Sequence, residues 1–239
     1  SYSLPLSLST LPLQDGQHSF TVDIVDSAYR SNSATKTILF FIDNMPLECM
    51  LINQNPIKVF QGNTLHIQIQ SNKVNIHGVA KTNNITVPCI SEGRNSKIYE
   101  CFIPIATETE PHDYIVTFEI EDDAGNKALL ETLYTVLPQQ FKKQTIGLNN
   151  KKMDEEIALS FPQSKLKEIV NDALPQSPAR KLWKGNFCTP CMSKGVTTPF
   201  GVIRTSVERG RYRHDAVDFL ASPKGPVWAS QDGIVIVKD

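Results

Sequence analysis

The sequence predicts a mainly β protein: a sandwich region, then a short helical connector, then a second antiparallel β segment that is incomplete. Three observations predict it. Short runs in residues 1–137 alternate apolar and polar side chains, as in Ser19–Val25, Leu65–Gln70 and Tyr114–Ile120, and period-two alternation buries one face of a strand and wets the other. Turn signals separate these runs, at Asp15-Gly16, Gln61-Gly62-Asn63 and Asp123-Ala124-Gly125-Asn126. Composition then shifts at Pro138 to Gln, Lys and Asn, and returns to a Gly- and Pro-rich β pattern from Leu182.

In chain order, Gly16–Asp26 resembles the Tyr114 strand that runs into Glu121–Asn126. Each ends in acidic residues and a turn, and an apolar strand follows each. This internal repeat is similar to two copies of a bacterial immunoglobulin-like domain. Residues 1–45 give a partial copy, because a whole sandwich takes ~100 residues, and residues 46–138 give a fuller one. Asn44-Met45-Pro46 marks the seam. Residues 139–180 read as the connector, with two short helices at Met153–Leu159 and Ser164–Val170. Ser164 is the expected N-cap of the second helix, which Pro175 and Pro178 stop. Residues 181–239 form the last segment, in which Gly233–Lys238 reads as a strand. This segment is very short for a self-sufficient domain, so it is expected to be the front part of one.

The chain has 239 residues, 40% of them hydrophobic and 21% charged, an ordinary globular composition. Lys plus Arg is 24 and Asp plus Glu is 25, for a net charge of −1. That balance gives no support to nucleic-acid binding or to a polybasic membrane anchor. No apolar run is long enough to span a bilayer. Of five cysteines, Cys89 and Cys101 flank a polar turn and are placed to face each other across a hairpin. Cys188 and Cys191 form a Cys-x-x-Cys with no second pair, so they read as loop cysteines rather than a zinc knuckle. Cys49 is left over. Asp122, Asp123 and Asn126 read first as a turn, with calcium binding a weaker alternative.

The chemistry is carried by three stretches in order. They are Phe200-Gly201-Val202-Ile203-Arg204, then His214-Asp215-Ala216-Val217-Asp218, then Gly225-Pro226-Val227-Trp228-Ala229 leading to Gly233-Ile234-Val235. Together, in this register, they resemble the lysostaphin-like zinc metallopeptidases. Those carry Phe-Gly followed by Arg, then His-x-Gly-x-Asp, then Gly-Thr-Pro-Val-x-Ala. Leu182–Phe187 is similar to the lead-in of members with immunoglobulin-like N-terminal domains. The resemblance implies that His214 and Asp218 are two of three protein ligands to Zn2+. The fourth zinc position would stay open to a water whose pKa falls to ~7. It further implies a bacterial peptidoglycan peptide as substrate, and export to the periplasm or cell surface.

The family's third ligand and its catalytic histidines belong to a His-x-His motif that this sequence lacks. His18, His66, His77 and His112 lie in the β domains in no ligand spacing, so no catalytic residue is assigned within the chain. Ala216, Lys224 and Gly225 replace the family's Gly, Gly and Thr. On a straight strand, residues 214 and 218 would stand ~13 Å apart, a gap across which side chains with bonds of ~2 Å to zinc could barely meet. His214 is therefore expected on a bend just before a strand, with Asp218 inside that strand and buried beside a core of Val217 and Phe219, whose side chains point the opposite way. Arg204, Arg209, Arg211 and Arg213 form a basic cluster in which Arg204 is the candidate substrate contact, with a solvated loop as the plainer reading. Trp228 reads as packing. Two alternatives stand beside a peptidase. One is a catalytically inactive relative that scaffolds or activates cell-wall enzymes. The other is an adhesin-like surface protein acting through its sandwich domains.

Overall fold

Nine strands between Cys49 and Leu137 build a two-sheet sandwich whose order follows from the alternation of their side chains. The computed structural model describes residues 13–53, 56–147, 163–207 and 210–238. One sheet has the order β3 (Cys49–Leu51), β5 (Thr64–Ser71), β9 (Ile98–Pro104), β8 (Ile90–Ser91). The other has the order β4 (Ile57–Phe60), β11 (Lys127–Leu137), β10 (Asp113–Asp122), β6 (Ile76–Thr82), β7 (Ile85–Pro88). All pairs are antiparallel except β4 with β11, where the first strand of the domain crosses to the opposite sheet. Read as letters, the sheets are A-B-E-D and A′-G-F-C-C′, the immunoglobulin-like arrangement. The expected fold class is therefore observed.

The alternating positions meet between the sheets. Ile67, Ile69, Cys101 and Ile103 face Val116, Phe118, Tyr134 and Val136, all at most 2% exposed. Burying each large side chain contributes ~1.5–3 kcal/mol. The polar ends of the core aromatics are satisfied. The Tyr134 hydroxyl lies 3.1 Å from Thr82 Oγ1, and the Tyr99 hydroxyl accepts from the Ile76 N–H at 3.1 Å.

Ahead of the sandwich, β1 (Gly16–Val25) and β2 (Ser33–Ile42) pair as an antiparallel hairpin. Its turn repeats that of the β10–β11 hairpin. Asp26 Oδ1 accepts from the backbone N–H groups of Ala28 and Asn32, and its Oδ2 from Asn32 Nδ2. Asp122 does the same with Ala124, Asn126 and Asn126 Nδ2. The sequence repeat thus has one physical cause: a carboxylate that closes the turn by binding its own backbone.

Asp122, the first carboxylate of the calcium alternative, is paired with a lysine. Lys73 Nζ stands 2.7 Å from Asp122 Oδ2 and 2.7 Å from Asp43 Oδ2, and donates to the Met45 carbonyl. The ammonium ties the seam to the sandwich and fills the place a cation would take.

The connector differs from its expected form. Lys143–Thr145 is a strand (β12) and pairs in parallel with the last segment, because its backbone, not its polar side chains, makes the contact. The second helix, α1 (Gln163–Ala173), already contains Ser164, which is therefore not its N-cap. A 3-10 turn, Leu174–Gln176, follows at Pro175. The first expected helix, Met153–Leu159, lies outside the described residues. Ala179–Lys181 then runs beside β8, with Lys181 N–H donating to the Ser91 carbonyl at 2.8 Å. Its side chain reaches Glu100 Oε2 at 2.5 Å on the outer face of β9. Trp183 follows, with its ring 5.6 Å from that of Phe102.

The last segment holds β13 (Ser193–Thr198), β14 (Ile203–Ser206), β15 (Gly210–Arg213) and β16 (Asp218–Ala221). β12, β14 and β15 form one small sheet, and β13 and β16 another. Gly233–Lys238 is not a strand: it finds no ladder partner among the described residues, and Ile234, Val235 and Val237 are exposed.

Candidate functional site

The site is set by the β14–β15 hairpin and the chain that leaves it. The ladder pairs Ile203 with Arg213, and two further bonds extend it, Gly201 N–H to the His214 carbonyl at 2.8 Å and His214 N–H to the Val202 carbonyl at 2.9 Å. His214 is thus held by its backbone on both sides. The chain bends at Ala216, and Asp218 opens β16. This is the bend that the spacing required, and Ala216 accommodates it.

Across the bend, His214 Nε2 stands 3.2 Å from Asp218 Oδ2. The two atoms are not aligned as a hydrogen bond, and Nε2 is a buried nitrogen with no hydrogen-bond partner. Two donors on one tetrahedral zinc, with bonds of ~2.0–2.1 Å, stand ~3.3 Å apart. The pair therefore fits two positions of such a centre. Among the described residues no cluster of three His, Cys, Asp or Glu side chains is placed to hold a metal.

Arg204 lies between these residues and the strand behind them. Its Nη2 donates to Thr198 Oγ1 at 2.7 Å and stands 3.5 Å from Asp218 Oδ2, while Nη1 is 3.3 Å from His214 Nδ1. Guanidinium only donates, so Nδ1 accepts here and the neutral ring carries its proton on Nε2. A metal at Nε2 needs the other tautomer, with Nδ1–H turned toward an acceptor. Arg204 must then give up Nδ1 while keeping Thr198 and Asp218. The arginine expected to meet substrate is thus turned inward, with its side chain 18% exposed.

The rest of the basic cluster is spoken for or solvated. Arg213 pairs with Glu108 of the sandwich, and that guanidinium, through its hydrogen bond, holds the Glu108 carboxyl below its ordinary range. Arg211 is exposed, and Arg209 lies outside the described residues. Val217, expected in the core, is 43% exposed, because it precedes β16 instead of sitting within it; Phe219 is half-buried. Asp218 is only half-covered, with its side chain 44% exposed, and not buried as expected. Trp228 donates its indole N–H to the Thr189 carbonyl at 2.7 Å, which ties the Pro-Val-Trp-Ala stretch to the Cys188–Cys191 loop.

Sequence reasoning missed Phe141. Its ring lies against Gly201, where φ is +81° and a Cβ would overlap it, and against Gly62 of the sandwich, where φ is +77°. The Gly of the Phe-Gly motif is thus needed for close approach of the connector. The four histidines set aside are engaged elsewhere: His66 with Glu100, His77 with Asp123, His112 against Tyr114, and His18 with the Gln14 carbonyl.

No family model matches the chain, and no curated protein matches it either. Among solved structures, murine CRIg is similar over 39% of this chain and 99% of its own, at 8% identity and a TM-score of 0.24. That likeness is too slight to add to the sheet order. No helix among the described residues is long and apolar enough to cross a membrane.

Proposed function

We propose that this chain carries the front half of a zinc endopeptidase site acting on peptide cross-links of bacterial cell wall, in an exported protein whose sandwich domains position it. One observation carries the reading: His214 Nε2 and Asp218 Oδ2 converge to 3.2 Å across the Ala216 bend, with the buried nitrogen unpaired. His214 and Asp218 would hold the metal, which when bound supplies a Lewis acid and an activated water. The β14–β15 ladder fixes the imidazole through both backbone neighbours. Arg204, anchored on Thr198 Oγ1, stands 3.5 Å from the Asp218 carboxylate and steadies it. Among the described residues no third ligand joins them.

The test uses the full-length protein, zinc and a cross-linked peptidoglycan peptide. Cleavage that chelator abolishes and zinc restores is expected. A protein that binds no zinc and leaves the peptide intact with or without chelator overturns the reading.

Arg204 favours a second reading, an inactive scaffold of cell-wall enzymes. Its cation already contacts both candidate ligands, and Ala216 replaces the family's Gly. A full-length protein that activates a partner hydrolase without binding zinc would decide for it.

A further inference from the structure

The sandwich holds a pair of cysteines that none of the foregoing uses. Cys89 sits where the chain leaves β7 for β8 and so crosses from one sheet to the other. Its N–H still bonds the Gly78 carbonyl of β6 at 2.8 Å. Cys101 lies in the middle of β9, fully buried. The β8–β9 register pairs Ile90 with Glu100 and Ser91 with Tyr99, so one step further sets Cys89 opposite Cys101. Their Sγ atoms are 2.7 Å apart. A disulfide measures ~2.05 Å, so closing one takes a shift of about 0.7 Å, with no change of register.

We infer that Cys89 and Cys101 form a structural disulfide that pins the crossover between the sheets. The oxidant is a disulfide carrier, small-molecule or protein. One cysteine thiolate attacks the carrier disulfide and releases one carrier thiol. The second cysteine thiolate attacks the resulting mixed disulfide and releases the other. Two electrons pass from the cysteine sulfurs to the carrier, and the two protons leave on its thiols. Because both sulfurs are buried, exchange with a carrier needs an opened chain, so the bond forms during folding. The Cys89 contact, and burial after it, hold the Cys101 thiol far above its ordinary range, which closes the exchange route once the sandwich is shut.

The bond has a consequence for the rest of the molecule. Cys101 lies between Glu100, which binds Lys181, and Phe102, which packs on Trp183. The disulfide therefore stiffens the stretch of β9 on which the last segment docks. Cys49, partly buried at the start of the same sheet, is expected to stay a thiol.

The test refolds the full chain from urea in a mixture of glutathione and glutathione disulfide, then quenches with acid, denatures, alkylates with maleimide and maps peptides by mass. A cross-linked pair containing Cys89 and Cys101, 2 Da lighter than the two reduced peptides, is expected. It should persist in Cys49→Ser and vanish in Cys101→Ser. In the folded protein it should resist dithiothreitol at least tenfold longer than in urea. Recovery of both cysteines as maleimide adducts, or a bond from either to Cys49, overturns the inference.

Discussion

At the scale of single residues, the account turns on two charged groups that gather several partners each. Arg204 gives N–H bonds to Thr198, which is buried, and lies against His214 and Asp218. Bonds to charged groups contribute ~1.5–3 kcal/mol each when buried. Arg204→Ala should lower stability by about 1–3 kcal/mol in urea unfolding, and Arg204→Lys should recover less than half, because an ammonium cannot fork. An unchanged midpoint in Arg204→Ala would remove Arg204 from its positioning role. Asp122 is the other case. Burial pushes its carboxyl up, but Lys73 and Asn126 outweigh that and hold it at about 2, below the ordinary 3.8. A lowered carboxyl contributes stability that is complete above about pH 4 and fades as pH falls toward 2. Stability of the wild-type chain should drop across that window, and Asp122→Asn should flatten the drop. Equal slopes in the two proteins would contradict the assignment.

At the scale of elements, the sandwich strands were legible because alternation and burial are the same signal there. Leu65–Gln70 and Tyr114–Ile120 lie inside sandwich strands, and Ser19–Val25 lies inside the first strand of the hairpin that precedes the sandwich. The bend between His214 and Asp218 was legible for a different reason: the shared metal that the resemblance implies could barely be reached from both ends of a straight strand. Other elements were hidden. β12 is Lys-Gln-Thr, with all three side chains exposed, and only its backbone reveals it as a strand. Gly233–Lys238 has a strand's composition but, among the described residues, no neighbour that supplies a ladder. The inward turn of Arg204 and the seat of Phe141 arise from contacts between distant stretches, which periodicity does not encode. Phe141 offers the sharpest element-level test. Gly201→Ala adds a Cβ into the ring at a left-handed backbone position and should cost about 2–4 kcal/mol. Pairing it with Phe141→Ala should recover part of that loss, the part due to overlap. No recovery in the double variant would place the whole cost on the backbone.

For the molecule as a whole, the sandwich serves as the platform and the last segment as the bearer of chemistry. Among the contacts that join them are Lys181 with Glu100, Arg213 with Glu108, Trp183 on Phe102, and Phe141 between Gly62 and Gly201. Glu100 is buried, and its carboxylate is held there by the Lys181 ammonium at 2.5 Å and by His66 Nε2 at 2.9 Å. The docking thus depends on charge pairing at one end and aromatic packing at the other. The central claim is that His214 and Asp218 act as a pair of metal ligands. The most direct measurement is the zinc content of the full-length protein after dialysis, compared among wild type, His214→Ala and Asp218→Ala. The account predicts about one zinc per wild-type chain and at least a tenfold loss of affinity in each variant. Zinc bound equally by all three proteins, or by none, would contradict it.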